Sequence, residues 1–560
     1  MLRPSVDREL AALVGVKVEE ARRTALLLMG AVLGLGAVIV GFGVLSRQFL
    51  FMVGGLAIAL SSVVFLFYPV FEVRSRVGRV EGELLPAALF AAIYASAERD
   101  MSEGFYAVRP EIAPHMSEFI KNVERMRVKK LIATPHEALG EAARLLEGSR
   151  LSSVLMAVST ARSIGLSQYI QARDILKSIL FELKSAYARL AENVKLLGEI
   201  ILVFYGVLPL MMLITSSIFY SAGAAMQLLA YVFLMIPAMG VALAFLIDSA
   251  YPKTPESFLK KYRLYLVGAG VGVGVAVVVA FLLAAAPLPV VTPPGGAAYA
   301  SAVKGAYVVA AAVAAGALAV GLFVAPKYLL DARRRWGIIS ALPFFVRDLA
   351  ESVKTGFSPA RAVVLITQRK SYNKHFDEVL KSMSRRIARG ATFHEATVEE
   401  ARSVPWIAGV ALAAVGEAER LGARHEVFAD LADAVRDIVD ILKAARSAMR
   451  GAVMFGLITV VIITVLLGGV AKSLVFQVAE QAGALQTAAM QMPGGIQLIT
   501  WPQVPEVLRY ALLGAVLNAV VLGVLIGKMA EGNFYASSLY LVISAFIALA
   551  SLLASLFVGV

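Results

Sequence analysis

Cysteine is absent from the 560 residues, so disulfides, thiolate metal sites and cysteine nucleophiles are excluded. Charge is scarce as well: 17% of residues are charged against 59% hydrophobic, and mean hydropathy is +0.76. The five histidines, His115, His136, His375, His394 and His425, show no paired spacing that would build a metal site. His394-Glu395 lacks the second histidine of a zinc-protease helix. Nucleotide motifs are missing too. Gly523 to Lys528 is one residue short of a phosphate loop, Met529 stands where Ser or Thr is required, and the stretch closes an apolar run. Gly268, Gly270, Gly272 and Gly274 alternate inside another such run, where close helix packing explains them. No catalytic residue, cofactor or metal is therefore expected.

What the chain has in abundance is apolar runs long enough to cross a hydrocarbon core, which takes roughly 20 residues. Nine fall near 24–45, 49–70, 199–220, 225–247, 265–285, 305–325, 452–470, 509–527 and 537–558. The expected fold is an all-α, polytopic membrane protein. With the N-terminus inside, the short inner segments carry Arg3, Arg8, Lys17, Arg22 and Arg23, then Lys253, Lys260, Lys261 and Arg263, then Lys528. The short outer loops offer only Arg47. This bias accounts for the net charge of +13 without nucleic acid, and it puts the regions 71–198 and 327–451 in the cytoplasm. The C-terminus then lies outside.

The two polar regions resemble each other. A shift of 257 places Leu85-Pro86 on Leu342-Pro343 and Gly165 on Gly422; one more residue places Thr134 to Glu137 on Thr392 to Glu395, each with the spacing of a capping box. On this alignment Arg99 takes the place of Gly356. Each region reads as about six helices. In the second, Leu342, Phe345, Val346, Leu349 and Val353 form one stripe, and Gly356 is the expected stop before the Ser358-Pro359 start. Phe376, Val379, Leu380, Met383 and Ile387 repeat the spacing up to Gly390. A helix from Pro405 ends at Gly422, and a last one from about Glu426 runs on into the span at 452. The domain expectation is a first segment at 1–70, bundle 1 at 71–198, four spans within 199–325, bundle 2 at 326–451, and three spans within 452–560 around an outer segment at 471–508, the whole arising by tandem duplication.

The stretches Leu342 to Leu349, Lys354 to Ala360, Arg389 to Ala396 and Glu417 to Gly422 resemble the type II secretion system F-domain family, with Pro343, Gly356, Gly390 and Gly422 as motif positions and Gly165 in the first region. Two such domains among nine spans look more like an archaeal pilus or flagellum (archaellum) platform than the bacterial layout. The resemblance implies a non-enzymatic partner that couples a cytoplasmic hexameric ATPase to extraction and assembly of pilin-like subunits. A homodimer in contact with membrane lipid is expected. Bundle 2 carries 21 Lys and Arg against 15 Asp and Glu. Lys381, Arg385, Arg386 and Arg389, with Lys121, Arg125, Lys129 and Lys130 in the first region, are the candidate ATPase contacts, since complementary charge speeds docking. The rival from another class is a transporter with duplicated membrane units; it lacks the ionisable residues such proteins keep at span centres.

Overall fold

The computed structural model describes residues 8–45, 52, 55–56, 59–60, 62–161, 167–218, 224–253, 255–256, 259–286, 296–466, 473, 475–481, 499 and 501–557. Helices dominate, and no strand occurs among the described residues. The first stretch contains α1 (Arg8–Leu13), α2 (Val18–Leu45), a 3-10 turn at Ser62–Phe67, α3 (Tyr68–Gly82), α4 (Leu84–Ser96), α5 (Met101–Tyr106), α6 (Pro114–Lys129), α7 (Pro135–Leu145), α8 (Arg150–Thr160) and α9 (Gln168–Ile201). Then come α10 (Leu208–Ile218), α11 (Ala224–Ala230), α12 (Ile236–Ala250) and α13 (Leu259–Ala285). The second half holds α14 (Gly296–Lys354), α15 (Pro359–Arg369), α16 (Lys374–Ala388), α17 (Phe393–Ala401), α18 (Trp406–Arg420), α19 (His425–Val465), α20 (Val504–Glu531) and α21 (Ser537–Phe557).

Eight helical stretches among the described residues are long and apolar enough to cross a membrane. They coincide with eight of the nine expected spans. The ninth, near 49–70, lies partly outside the described residues, and its described end is the 3-10 turn leading into α3. Gly36 of α2 is in close contact with Gly55 and Ala59, so the chain does fold back on α2 there.

Two compact units emerge. One comprises residues 1–184, 253–256 and 335–439, and the other 185–252, 257–334 and 440–560. The first unit holds both bundles. In the second bundle most of the expected stripes are core: Leu342, Phe345, Val346 and Leu349 are fully buried, as are Phe376, Leu380 and Met383, with Val379 nearly so, while Val353 and Ile387 at the stripe ends are half-buried. Phe345, Tyr372 and Phe376 meet edge to face with ring centroids 5.3–6.4 Å apart. Fully burying one such side chain stabilises by about 1.5–3 kcal/mol, so this triad anchors α14, α16 and the link between α15 and α16. Leu342 and Pro343 lie inside unbroken α14, whereas Pro86, aligned with Pro343 in the sequence, sits in the first turn of α4 just after a break at Glu83.

The second unit is built around α20, whose buried residues run from Val504 to Met529 on several faces. A helix apolar all round belongs in an interior. Asn518 accepts from the Tyr231 hydroxyl at 3.2 Å, a hydrogen bond between two of the apolar helices. Gly523 and Gly527 let α21 approach, and Lys528 pairs with Asp248 at 3.1 Å, so the stretch that mimics a phosphate loop is a packing seam. Of the four alternating glycines, Gly272 meets Gly316 of α14 and Gly268 meets Phe323 and Val324, while Gly270 and Gly274 face open space.

Candidate docking surface

The candidate contacts fall at two corresponding helix ends. In the second bundle, Asn373 caps α16 by accepting from Phe376 N–H at 3.0 Å, and the helix runs to Ala388, its apolar side inward. Lys381, Arg385, Arg386 and Arg389 are left on the exposed side. Arg386 is tied to Glu400 at 3.3 Å, and Arg385 donates to the Lys381 carbonyl at 3.2 Å. Lys381, Arg385 and Arg389 have no carboxylate within ion-pair distance among the described residues. In the first bundle Lys121, Arg125, Lys129 and Lys130 are likewise exposed on α6 and its end. Lys130 is engaged by Glu9 at 3.0 Å and Glu141 at 3.2 Å, and Arg125 donates to the Asn122 side chain at 3.1 Å. Lys121 and Lys129 are without an acidic partner among the described residues. The eight basic residues thus form two patches, with Arg386 and Lys130 committed to internal pairs.

The motif glycines are helix stops. Gly356, Gly390 and Gly422 have φ of +92°, +94° and +63°, and each is followed by an N–H bonded back to the carbonyl five residues earlier. Gly165 lies outside the described residues. In the first bundle the corresponding turns use other residues. Glu98, at φ +60°, makes a turn of the same form as Gly356, one residue before the aligned Arg99: Arg99 N–H bonds to Tyr94 O as Phe357 N–H bonds to Ser352 O. Leu131, at φ +54°, makes a turn of the same form as Gly390, with Ile132 N–H on Arg127 O as Ala391 N–H is on Arg386 O. The Thr392 box is complete, with Glu395 N–H on Thr392 Oγ1 at 3.2 Å and Thr392 N–H on Glu395 Oε2 at 3.0 Å. Thr134 departs from the expectation: it starts α7 without a side-chain cap, its hydroxyl being 3.4 Å from His136 Nε2.

A seam between the bundles escaped the sequence reading. Glu417 of α18 is buried, accepts from Tyr94 Oη of α4 at 2.9 Å, and is gripped by Arg420 Nε at 3.1 Å. Arg420 also donates to Tyr94 Oη at 2.8 Å. Burial alone would raise the Glu417 pKa, but the Arg420 and Tyr94 hydrogen bonds hold it below the usual value. Burial, with Glu417 beside it, pushes the Tyr94 hydroxyl up to about 12. His394 Nε2 lies 2.8 Å from Arg109 Nη2. Arginine only donates, so that nitrogen must be the acceptor of a neutral imidazole; burial and Arg109 lower the His394 pKa, against the pull of Glu417. Further ties are Arg402–Glu111 at 2.8 Å, Trp406 Nε1–Ile112 O at 2.7 Å and Arg424–Glu98 at 3.0 Å. The one available signal was Glu417 and Arg420 at i, i+3 on α18, whose other charged residue is Glu419.

A cleft of about 190 Å³ lies beside this seam, lined by Glu111, Glu256, Arg402 and Trp406 among others. Its charges satisfy one another: Arg402 holds Glu111, and Glu256 takes Arg335 at 2.7 Å and Trp406 N–H at 3.1 Å. Among the described residues, no group of three or more His, Asp or Glu could hold a metal ion.

No curated protein and no solved structure matches the chain. Residues 345–471 match the family model described as Type II secretion system (T2SS), protein F. This stretch takes in most of the second bundle and the apolar end of α19. Residues 345–471 are thus a type II secretion F-domain by this match, and eight helical stretches among the described residues are long and apolar enough to cross a membrane.

Proposed function

We propose that the chain is the membrane platform of a type IV pilus-like or archaellum-like assembly machine, coupling a cytoplasmic hexameric ATPase to extraction and assembly of pilin-like subunits. The F-domain at 345–471 carries this reading, because such platforms work with secretion ATPases and pilin-like subunits in general. The exposed basic patches at Lys381, Arg385 and Arg389 and at Lys121, Arg125 and Lys129 supply the charge an acidic ATPase surface would meet. The N-terminus and both bundles are cytoplasmic in this reading, and the C-terminus is outside.

Tandem duplication is part of the proposal. It is supported by the matching turns at Glu98 and Gly356 and at Leu131 and Gly390, each with the same pair of backbone hydrogen bonds. The five segments expected from sequence are retained as its domain plan, with the first bundle the more divergent copy. Pilin helices would meet the spans, and α13 offers a broad apolar face: Leu266, Val273 and Phe281 are exposed along it, with Gly270 and Gly274 open for close approach. The chain acts as a scaffold and the ATPase supplies the energy. The decisive experiment is co-purification of the ATPase with full-length protein carrying Arg385→Glu and Arg389→Glu. Loss of the ATPase with normal membrane insertion is expected; unchanged co-purification would sink the assignment of this patch.

A further inference from the structure

Leu131 ends α6 in the left-handed region at φ +54°, and its side chain is 89% exposed. Its own N–H bonds to Val128 O at 3.4 Å and the next N–H, of Ile132, to Arg127 O at 3.0 Å. Glycine is the ordinary residue for such a turn, because a Cβ there crowds the backbone. The turn after α16 uses it: Gly390 at φ +94° bonds to Ile387 O at 3.0 Å, and Ala391 N–H to Arg386 O at 3.1 Å. One geometry is thus built once with glycine and once with a leucine that gains no burial for its strain. Nothing among the described residues rewards that choice. Val128, one turn earlier, is 63% exposed, and Lys121, Arg125 and Lys129 extend the same exposed helix. The result is an apolar pair at the tip of a basic helix.

The position of the tip narrows the partner. Glu9 of α1 bonds Lys130, Leu13 O accepts from Asn122 at 3.1 Å, and Gly15 lies against Glu118. The chain therefore runs down α6 from the tip toward Glu118 before the apolar helix α2 begins at Val18. At a rise of about 1.5 Å per residue, the tip lies roughly 17 Å of helix beyond Glu118, on the side away from the start of α2. A lipid surface would be met at the other end. The geometry points to a soluble, acidic partner: resting on the platform reading, we infer that Leu131 and Val128 are the apolar anchor of a docking tip that enters an apolar pocket rimmed by carboxylates on the cytoplasmic ATPase. The basic residues steer the encounter and the two side chains hold it.

Leu131→Gly separates anchor from architecture, since glycine suits the turn and removes only the side chain. Full-length protein in nanodiscs, titrated with the purified cognate ATPase, is expected to bind about tenfold or more weakly with Leu131→Gly, while its melting temperature stays level or rises; Leu131→Met should retain most of the affinity. Equal binding by wild type and Leu131→Gly overturns the docking tip and leaves the platform reading standing. Failure of the wild type to bind overturns both. Leu131→Cys would be the only cysteine in the chain, so its alkylation by a maleimide should slow when the ATPase is added. Unchanged alkylation, or spontaneous disulfide-linked dimers through this position that persist with the ATPase present, would assign the tip to no partner or to a second copy and overturn the proposal.

Discussion

Tyr94 and Glu417 lie 323 positions apart in sequence and hydrogen-bond at 2.9 Å inside the seam between the two bundles. Glu417 is buried, so it depends on Tyr94 and Arg420 to replace the water it gave up. Tyr94→Phe keeps the ring and removes the donor. The expected cost is roughly 1.5–3 kcal/mol, the range for a hydrogen bond to a charged group. Thermal unfolding of the detergent-solubilised protein should show a lower midpoint, and an unshifted midpoint would mean that water reaches Glu417.

Glu83 makes stability depend on pH. The residue is fully buried at the break between α3 and α4, and its Oε2 accepts from Met116 N–H at 2.7 Å. Burial raises its pKa to about 7, against the opposing backbone hydrogen bonds from Met116 and His115. The folded state therefore binds the proton more tightly than the unfolded state does. Stability from this group is present below the unfolded pKa, near 4.5, and falls as pH rises toward about 7. Glu83→Gln stays neutral throughout. The variant should gain on wild type across that window by up to about 3 kcal/mol, with a plateau above it. Parallel melting curves of the two proteins at pH 5 and 8, conditions chosen on the order of the window's edges, would contradict the assignment.

The helix stops show what could and could not be read from sequence. Gly356, Gly390 and Gly422 announce their turns because glycine tolerates positive φ, and the apolar stripes through Phe345 and Phe376 announce the core by their spacing. Glu98 and Leu131 adopt the same conformation unannounced, since a penalty of about 1–2 kcal/mol is small enough for the surrounding fold to impose. The seam through Tyr94, His394 and Glu417 joins residues hundreds of positions apart, beyond the reach of any local pattern. The 59 residues of α14 run unbroken from the span expected at 305–325 through Pro343 to Lys354, a continuity that the separate span and stripe did not announce.

These stops can be tested in both directions. A Cβ at Gly356 or Gly390 meets open space, so only the backbone resists substitution. Gly356→Ala and Gly390→Ala should each destabilise by about 1 kcal/mol, and Glu98→Gly should stabilise by somewhat less. The gain is reduced because the Glu98–Arg424 pair is lost, an exposed pair worth roughly 0–1 kcal/mol. Chemical denaturation of the three variants would measure the contrast, and a destabilised Glu98→Gly would refute it.

The basic patch of the second bundle divides by partner. Arg386 holds Glu400, a nearly buried carboxylate that also lies 3.2 Å from the Ser403 hydroxyl, whereas Arg389 has no carboxylate in reach among the described residues. Arg389→Glu should weaken ATPase binding in a salt-dependent way and leave the melting temperature unchanged. Arg386→Glu should lower the melting temperature as well, because it faces Glu400 with a like charge. Equal melting shifts for the two would show that the patch acts as one solvated face.

Orientation decides whether docking is possible at all, and the cysteine-free chain makes it simple to measure. The topology proposed from charge bias would put Ser371, between α15 and α16, on the same side as Lys253 and Lys261, and Gln491, which lies outside the described residues, on the other. In intact cells a membrane-impermeant maleimide should modify Gln491→Cys and spare Ser371→Cys until the membrane is opened. Labelling of Ser371→Cys from outside would place both basic patches away from any cytoplasmic ATPase, since Ser371 belongs to the same compact unit as Arg389 and Lys129.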